Sequence, residues 1–365
     1  MINVHIVVGA RPNFMKVAPL FRAMSHENWI KPALIHTGQH YSENMSDAFF
    51  SDLGLPPPAF NLGARGETHA RQTAAIMIAY EDLLLAGKPD WVIVVGDVNS
   101  TLAAALAAKK LNIPVAHLEA GLRNFDRTLP EEINRVVTDS ISDLLWTPSA
   151  DASENLRREG IDPTKIDLVG NIMIDSYLML SETISRASTA KRIGVTEGKY
   201  VVVTLHRPAN VDDPIMLTRI VDALRQLAAS ATVVFPVHPR TRTKLEKAGL
   251  LSRLQHQNVR LTEPMGYVSF ISLVQSSALV ITDSGGIQEE TSYIGIPCLT
   301  LRANTERPIT ITLGTNQLVT PETILKAATV AISAGPPSGS NIPLWDGHAA
   351  SRVVSSLARH CGVET

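Results

Sequence analysis

The sequence predicts an α/β protein of two units, each a doubly wound parallel sheet with crossover helices. Three observations predict it. The chain has 365 residues, too many for one ordinary core. Short apolar, β-branched runs alternate with longer helical patterns, as crossover connections between parallel strands require. The alternation then starts again in the second half. In the first half, strands are expected at 4–8, 33–37, 91–95, 115–118 and 143–147, and helices near 14–24, 101–111 and 131–142. In the second, strands are expected at 200–205, 232–237, 259–261, 279–282 and 298–301, with helices near 214–229 and 241–248. Between them the composition changes from apolar to Ser/Thr/Lys-rich, which places a hinge at 171–198 between an N-terminal unit of 1–170 and a C-terminal unit of 199–347. A last helix, read at 349–357 within 348–362, follows the segment AGPPSGSNIPLWDG, whose length lets it pack elsewhere.

Bulk properties narrow the function. The composition, 45% hydrophobic and 19% charged, is that of a globular chain. A formal charge of −2 with no Lys/Arg run offers no field for nucleic acid, so a small ligand is the expected partner. Cys298 and Cys361 stand far apart without a CxxC, as in a reducing compartment. Met1 leads straight into INVHIVVGA, with no basic leader, and no window approaches a membrane span. A cytoplasmic protein without a membrane partner is expected.

Polar motifs fall where predicted strands end. In ITDSGGIQEETSYIGIP, Asp283 and Ser284 close a strand, Gly285 and Gly286 permit close backbone approach, and a helix starts whose free N–H groups suit a phosphate. Asp283 or Ser284 acting only as a helix cap is the equal alternative. VVGARPNFMK carries Arg11 and Lys16, VVGDVNST carries Asp97, and AHLEAGLR carries Glu119, which has Arg123 as an alternative partner. Glu131 and Arg135 in LPEEINR stand four apart, the spacing of a helical ion pair. LHRPAN and VHPRTR add His206 with Arg207 and His238 with Arg240. Two sheets side by side would bring such strand ends to one cleft. A P-loop is excluded, no GxGxxG marks a dinucleotide, and no ligand spacing marks a metal: Gly38 separates His36 from His40, and His117-x-Glu119 lacks a following Pro-Cys-x-x-Cys. No cofactor is expected.

Together GARPNFMKVAP, HTGQH, VVGDVNST, HLEAGLR, PEEINR, LHRPANVD, PVHPR, TDSGGIQEE and TERPITITLGTNQLV resemble, in order and over nearly the whole chain, the non-hydrolysing UDP-N-acetylglucosamine 2-epimerase family. The resemblance implies a GT-B fold of two Rossmann-like domains with a substrate cleft between them, a C-terminal helix returning to the first domain, and a homodimer. It implies interconversion of UDP-GlcNAc and UDP-ManNAc for surface-polysaccharide precursors. Residue by residue, it implies proton transfer by Asp97, Glu119, Glu131 and His206. Diphosphate stabilisation would fall to Arg11, Ser284, Gly285 and Gly286. Glu290 would take the ribose hydroxyls, Arg307 would sit by the nucleotide, and Lys16, Arg135 and His238 would line the site. Where members of the family often read His-Arg-Arg-Glu-Asn, this chain reads His206-Arg207-Pro208-Ala209-Asn210.

The chemistry fits the missing dinucleotide fingerprint. The hydrogen on carbon two is barely acidic, so UDP must first leave carbon one. Elimination to 2-acetamidoglucal and re-addition with a proton on the other face give the epimer. A GT-B glycosyltransferase, a non-catalytic sugar-nucleotide sensor and a 2-epimerase of UDP-2,3-diacetamido-glucuronate are the rival readings. Some members of the family bind a second UDP-GlcNAc through residues matching Gln39, His40, Ser42, Arg71, Arg207 and His238. Ser42 is shorter than the family's Gln, and Pro208 removes a charge and a donor beside Arg207, so the expectation is turnover of UDP-ManNAc without a lag.

Overall fold

The β-branched runs are strands buried on both faces, which is why they are apolar without alternation. The computed structural model describes residues 1–39, 53–335 and 341–363, with the Arg11 side chain outside the description. Contacts divide the chain into one unit of Met1–Met179 with Pro343–Thr365 and a second of Leu180–Ile342.

In the first unit, β1 (Ile2–Val8), β2 (Ile30–His36), β3 (Phe60–Asn61), β4 (Trp91–Val95), β5 (Val115–Leu118), β6 (Leu144–Thr147) and β7 (Ile166–Leu168) form one sheet in the order β3-β2-β1-β4-β5-β6-β7. Every pairing is parallel, with Val7 of β1 opposite Ile35 of β2 and Val94 of β4. Chain order reverses between β1 and β4, a switch point where the carboxyl ends of strands leave a crevice. One face of the sheet packs Val7, Ile35, Val92, Val94 and Val115 against Ala104, Ala105, Ala107 and Ala108 of the helix Asn99–Lys110. Small residues there let that helix lie close to the helix His69–Ala86.

The helix Ala349–His360 also belongs to this unit. Its first N–H groups, of Ala349 and Ala350, donate to the buried Asp175 carboxylate at 3.2 and 2.8 Å. Trp146 Nε1 donates to Ser356 Oγ at 2.8 Å, and that hydroxyl donates to Asp167.

The second unit holds β8 (Tyr200–Thr204), β9 (Thr232–Pro236), β10 (Val259–Thr262), β11 (Leu279–Thr282), β12 (Cys298–Leu301) and β13 (Asn316–Val319), ordered β10-β9-β8-β11-β12-β13 and all parallel. Its switch point lies between β8 and β11, where Thr204 pairs with Thr282. Val201, Val203, Phe235, Leu279, Ile281 and Leu299 pack under the helices Pro214–Leu227 and Ile324–Ala334.

The expected strands all form, with ends shifted by up to three residues. Several elements go beyond the sequence reading: the short strands β3, β7 and β13, and the helices His69–Ala86, Ala150–Arg158, Tyr267–Gln275 and Ile324–Ala334. Much of the expected hinge is helical, in Ile172–Met179, Ser181–Ala187 and Thr189–Arg192. Among the described residues, no helix is long and apolar enough to cross a membrane.

Candidate active site

Each switch point carries its own cluster of polar side chains. In the first, β1 runs into the helix Arg11–Ser25, and Asn13 pins that turn by accepting from Ala10 N at 3.1 Å and donating to Val95 O at 3.0 Å. One turn on, Lys16 is buried and ion-paired with the buried Glu119. Lys16 is therefore no solvated charge, and Glu119 has Lys16 where Arg123 was the alternative. Glu119 sits just past β5 at φ 73°, a left-handed backbone that costs a non-glycine residue about 1–2 kcal/mol. It persists because Glu119 N and Ala120 N both donate to Trp146 O, at 3.1 and 3.0 Å.

β4 ends in Gly96, whose φ of 69° is the left-handed backbone that favours glycine, and a Cβ there would press on Glu119 Oε2 at 3.3 Å. The next residue, Asp97, ion-pairs with the buried Arg135, its own side chain 35% exposed. The sequence spacing offered Glu131 to Arg135. The structure gives Arg135 instead to Asp97 and to Glu132, whose Oε2 it meets with Nε at 3.1 Å and Nη2 at 2.7 Å. Glu131 lies exposed on the first turn of the helix Pro130–Ile141.

Behind these carboxylates lies a buried chain that the motifs did not reveal. His117 on β5 places Nε2 2.8 Å from Gly96 O and Nδ1 2.6 Å from Asp139 Oδ1. Asp139 Oδ2 takes Arg123 Nη1 at 2.7 Å and the Gly121 N–H at 3.1 Å. Burial pushes the Asp139 carboxyl up, but His117 and Arg123 outweigh it and hold it below the usual range. Arg123 grips Glu159 with two further bonds of 2.8 and 2.7 Å. His117 stood in the sequence only as part of a failed metal spacing.

In the second unit Asp283, wholly buried past β11, caps no helix. Its carboxylate takes the N–H of His206 at 3.0 and 3.2 Å, the N–H of Arg207 at 2.9 Å and Asn210 Nδ2 at 3.1 Å, and lies 2.9 Å from His206 Nδ1. Burial pushes this carboxyl up too, but these donors hold it below the usual range. Nδ1 of the 40% exposed His206 donates to this carboxylate, which leaves Nε2 as the ring nitrogen turned away from it. The family's missing Arg and Glu therefore leave this scaffold intact, since Asn210 is retained. Pro208 occupies the first position of the helix Pro208–Val211, where no donor is needed.

Ser284, the other candidate cap, makes no side-chain bond to the helix Gly285–Ile294, whose first N–H groups stay uncapped. Gly285 leaves room for two side chains: a Cβ would lie 2.6 Å from Glu306 Oε1 and 2.7 Å from Arg307 Nη1, so both would have to shift. Among the described residues nothing lies within 4 Å of a Cβ built at Gly286. The buried Arg307 pairs with Glu306 at 2.6 Å and Glu289 at 2.8 Å. Burial pushes the Glu290 carboxyl up to about 8, against a lowering bond from Tyr267 and with a further push from Glu289. His238 Nδ1 accepts from Arg240 N at 3.2 Å and so caps the helix Pro239–Lys247, and its ring lies 5.8 Å from that of His206. Burial first, then the charge of His206, lowers its pKa.

Gln39, Arg71 and Arg207, three of the second-site candidates, each stand within one unit. Gln39 spends its amide oxygen on Ser100 N and Oγ, at 3.0 and 2.6 Å. Arg71 is exposed, Arg207 Nε donates to Asp283 O at 3.0 Å, and His40 and Ser42 lie outside the described residues. Arg11 opens its helix, with its side chain likewise outside the description. Among the described residues, no group of three His, Cys, Asp or Glu could hold a metal ion.

A family model described as UDP-N-acetylglucosamine 2-epimerase matches residues 22–358. The chain is 42% identical over 360 residues to the UDP-N-acetylglucosamine 2-epimerase of Methanocaldococcus jannaschii, covering 96% of this chain and 98% of that one. It is 41% identical over 357 residues to the UDP-2,3-diacetamido-2,3-dideoxy-D-glucuronate 2-epimerase of Pseudomonas aeruginosa, covering 97% and 98%. The crystal structure of the M. jannaschii enzyme with UDP-GlcNAc and UDP superposes with a TM-score of 0.89 at 40% identity, over 98% of this chain and 99% of that one. Two parallel-sheet units with such neighbours make a GT-B type fold.

Proposed function

Since this chain belongs to the UDP-N-acetylglucosamine 2-epimerase family, we propose that it interconverts UDP-GlcNAc and UDP-ManNAc by eliminating and re-adding UDP. The carrying observation is a pair of strand-end carboxylates, Asp97 and Glu119, each held on a buried cation at one switch point.

A carboxylate fixed by a buried cation is held in one orientation, as a proton acceptor must be. In the forward step the bond from carbon one to the diphosphate oxygen breaks and its electron pair leaves with UDP. The proton on carbon two passes to a base, and a double bond forms between the two carbons. In the return step a proton reaches carbon two from the opposite face while UDP adds again at carbon one. Neither the elimination nor the re-addition passes a hydride to or from a carrier, so the proposal calls for no cofactor. Asp97, Glu119, Glu131 and His206, the last through Nε2, form the proton-transfer set. Charge growing on the departing diphosphate meets the uncapped N–H groups after Ser284, at Gly285 and Gly286, together with Arg11 and Arg307. Glu290 takes the ribose hydroxyls, and Lys16, Arg135 and His238 complete the lining. The same reading makes the protein a cytoplasmic homodimer that supplies surface-polysaccharide precursors, with turnover of UDP-ManNAc that needs no second UDP-GlcNAc.

The test is proton NMR of the protein with UDP-GlcNAc in deuterated water, without added NAD or metal. Deuterium should enter at carbon two as UDP-ManNAc appears; retention of the original hydrogen overturns the elimination route. The P. aeruginosa relative, at 41% identity, favours one second reading, epimerisation of the diacetamido-glucuronate. Including that sugar nucleotide in the panel decides between them by comparing kcat/KM.

A further inference from the structure

We propose that His117 and Asp139 form a buried imidazolium–carboxylate pair that positions both Asp97 and Glu119 for proton transfer. The inference rests on the epimerase reading and adds two residues that touch no substrate.

Hydrogen-bond accounting fixes the protonation. Nε2 of His117 faces Gly96 O at 2.8 Å, an oxygen that can only accept. Nδ1 faces Asp139 Oδ1 at 2.6 Å, and the other oxygen of that carboxylate already takes Arg123 Nη1 and the Gly121 N–H. With acceptors at both nitrogens the ring carries both hydrogens and a positive charge. The ring is fully buried. The charges that face it are Asp139 directly, then Arg123 and, beyond that, Glu159, so cations and anions alternate along the chain.

The pair reaches both candidate loops. Gly96 N donates to Leu118 O at 3.0 Å and Gly96 O accepts from His117, so the peptide that leads into Asp97 is held on both sides. Asp139 takes the N–H of Gly121, two residues beyond Glu119, whose left-handed backbone needs an anchor on that side. One carboxylate therefore sets the approach of two others, at residues where a shift of about 1 Å can cost 10²-fold in rate.

The experiment compares wild type, His117→Gln and His117→Asn. Gln can still donate toward Gly96 O, whereas Asn keeps a donor only toward Asp139. In nitrogen-15 histidine-labelled wild type, both ring nitrogens of His117 should carry hydrogen. The Asn variant should lose about 100-fold in kcat and the Gln variant about tenfold, each with the calorimetric Kd for UDP within about twofold of wild type. A bare ring nitrogen, or a folded Asn variant with kcat within about twofold of wild type, overturns the proposal. The NMR result stands without turnover, so failure of wild type to epimerise defeats the functional reading separately.

Discussion

Lys16 and Glu119 stand 103 positions apart in the chain and meet as a buried ion pair. Such a pair fails when one member loses its charge, so isosteric changes are the informative ones. Asp97→Asn, Glu119→Gln and Glu131→Gln should each lower turnover at least about 100-fold while leaving the UDP dissociation constant within about twofold. Calorimetry with UDP beside kcat separates the two; a wild-type rate in the folded variants refutes the proton-transfer assignment. Glu290 should make UDP binding depend on pH. Its carboxyl, pushed up to about 8, is largely protonated at neutral pH in the free protein. Ribose hydroxyls donate to the ionised form, so UDP binding should release a proton and affinity should rise with pH until about 8, then level off. Glu290→Gln should flatten that profile. At this scale the strand-end carboxylates were legible because Asp and Glu directly after apolar β-branched runs are conspicuous. The partners of Asp139, Glu132 and Asp283 were not. Asp139 and Asp283 act through partners 22 and 77 positions away, which no periodicity encodes, and Glu132 stands three before Arg135, a helical spacing that rivals the four of Glu131.

The helix Gly285–Ile294 depends on its first residue. A Cβ at Gly285 would press on Glu306 Oε1 at 2.6 Å and Arg307 Nη1 at 2.7 Å, so Gly285→Ala should displace both groups and weaken UDP binding about tenfold. Equal affinity in the folded variant would separate the helix start from nucleotide binding. The helix Ala349–His360 depends on a residue outside itself, because Asp175 receives its first two N–H groups. Asp175→Ala should lower stability by about 1–2 kcal/mol, read as a lower Tm with unchanged UDP affinity. Elements were legible in proportion to burial. Strands such as β4 and β8, enclosed on both faces, had to be continuous apolar runs. The helix His69–Ala86 buries only Ile76, Tyr80 and Leu84, a stripe too narrow to stand out among its other apolar residues, although Thr68 marks its N-cap. β3 has two residues and β7 three, too few for any pattern.

At the scale of the molecule, length and the restart of alternation gave two parallel-sheet units, whereas the strand order that makes each switch point is a matter of pairing and could not be read from the chain. UDP at 100 times its Kd should stabilise the folded protein by about 2.7 kcal/mol wherever it binds, and placing its recognition in Leu180–Ile342 predicts where the protection falls. Amide exchange should show the strongest protection around Ser284–Glu290; protection concentrated in Met1–Met179 would contradict that division. The left-handed Glu119 bears on whole-molecule stability as well. Glycine adopts that backbone freely, and a methionine at Lys16 would fill its buried space without a charge to desolvate. A library selected only for surviving heat should therefore drift toward Lys16→Met together with Glu119→Gly. The hardiest clones would be those that have forgotten how to move a proton.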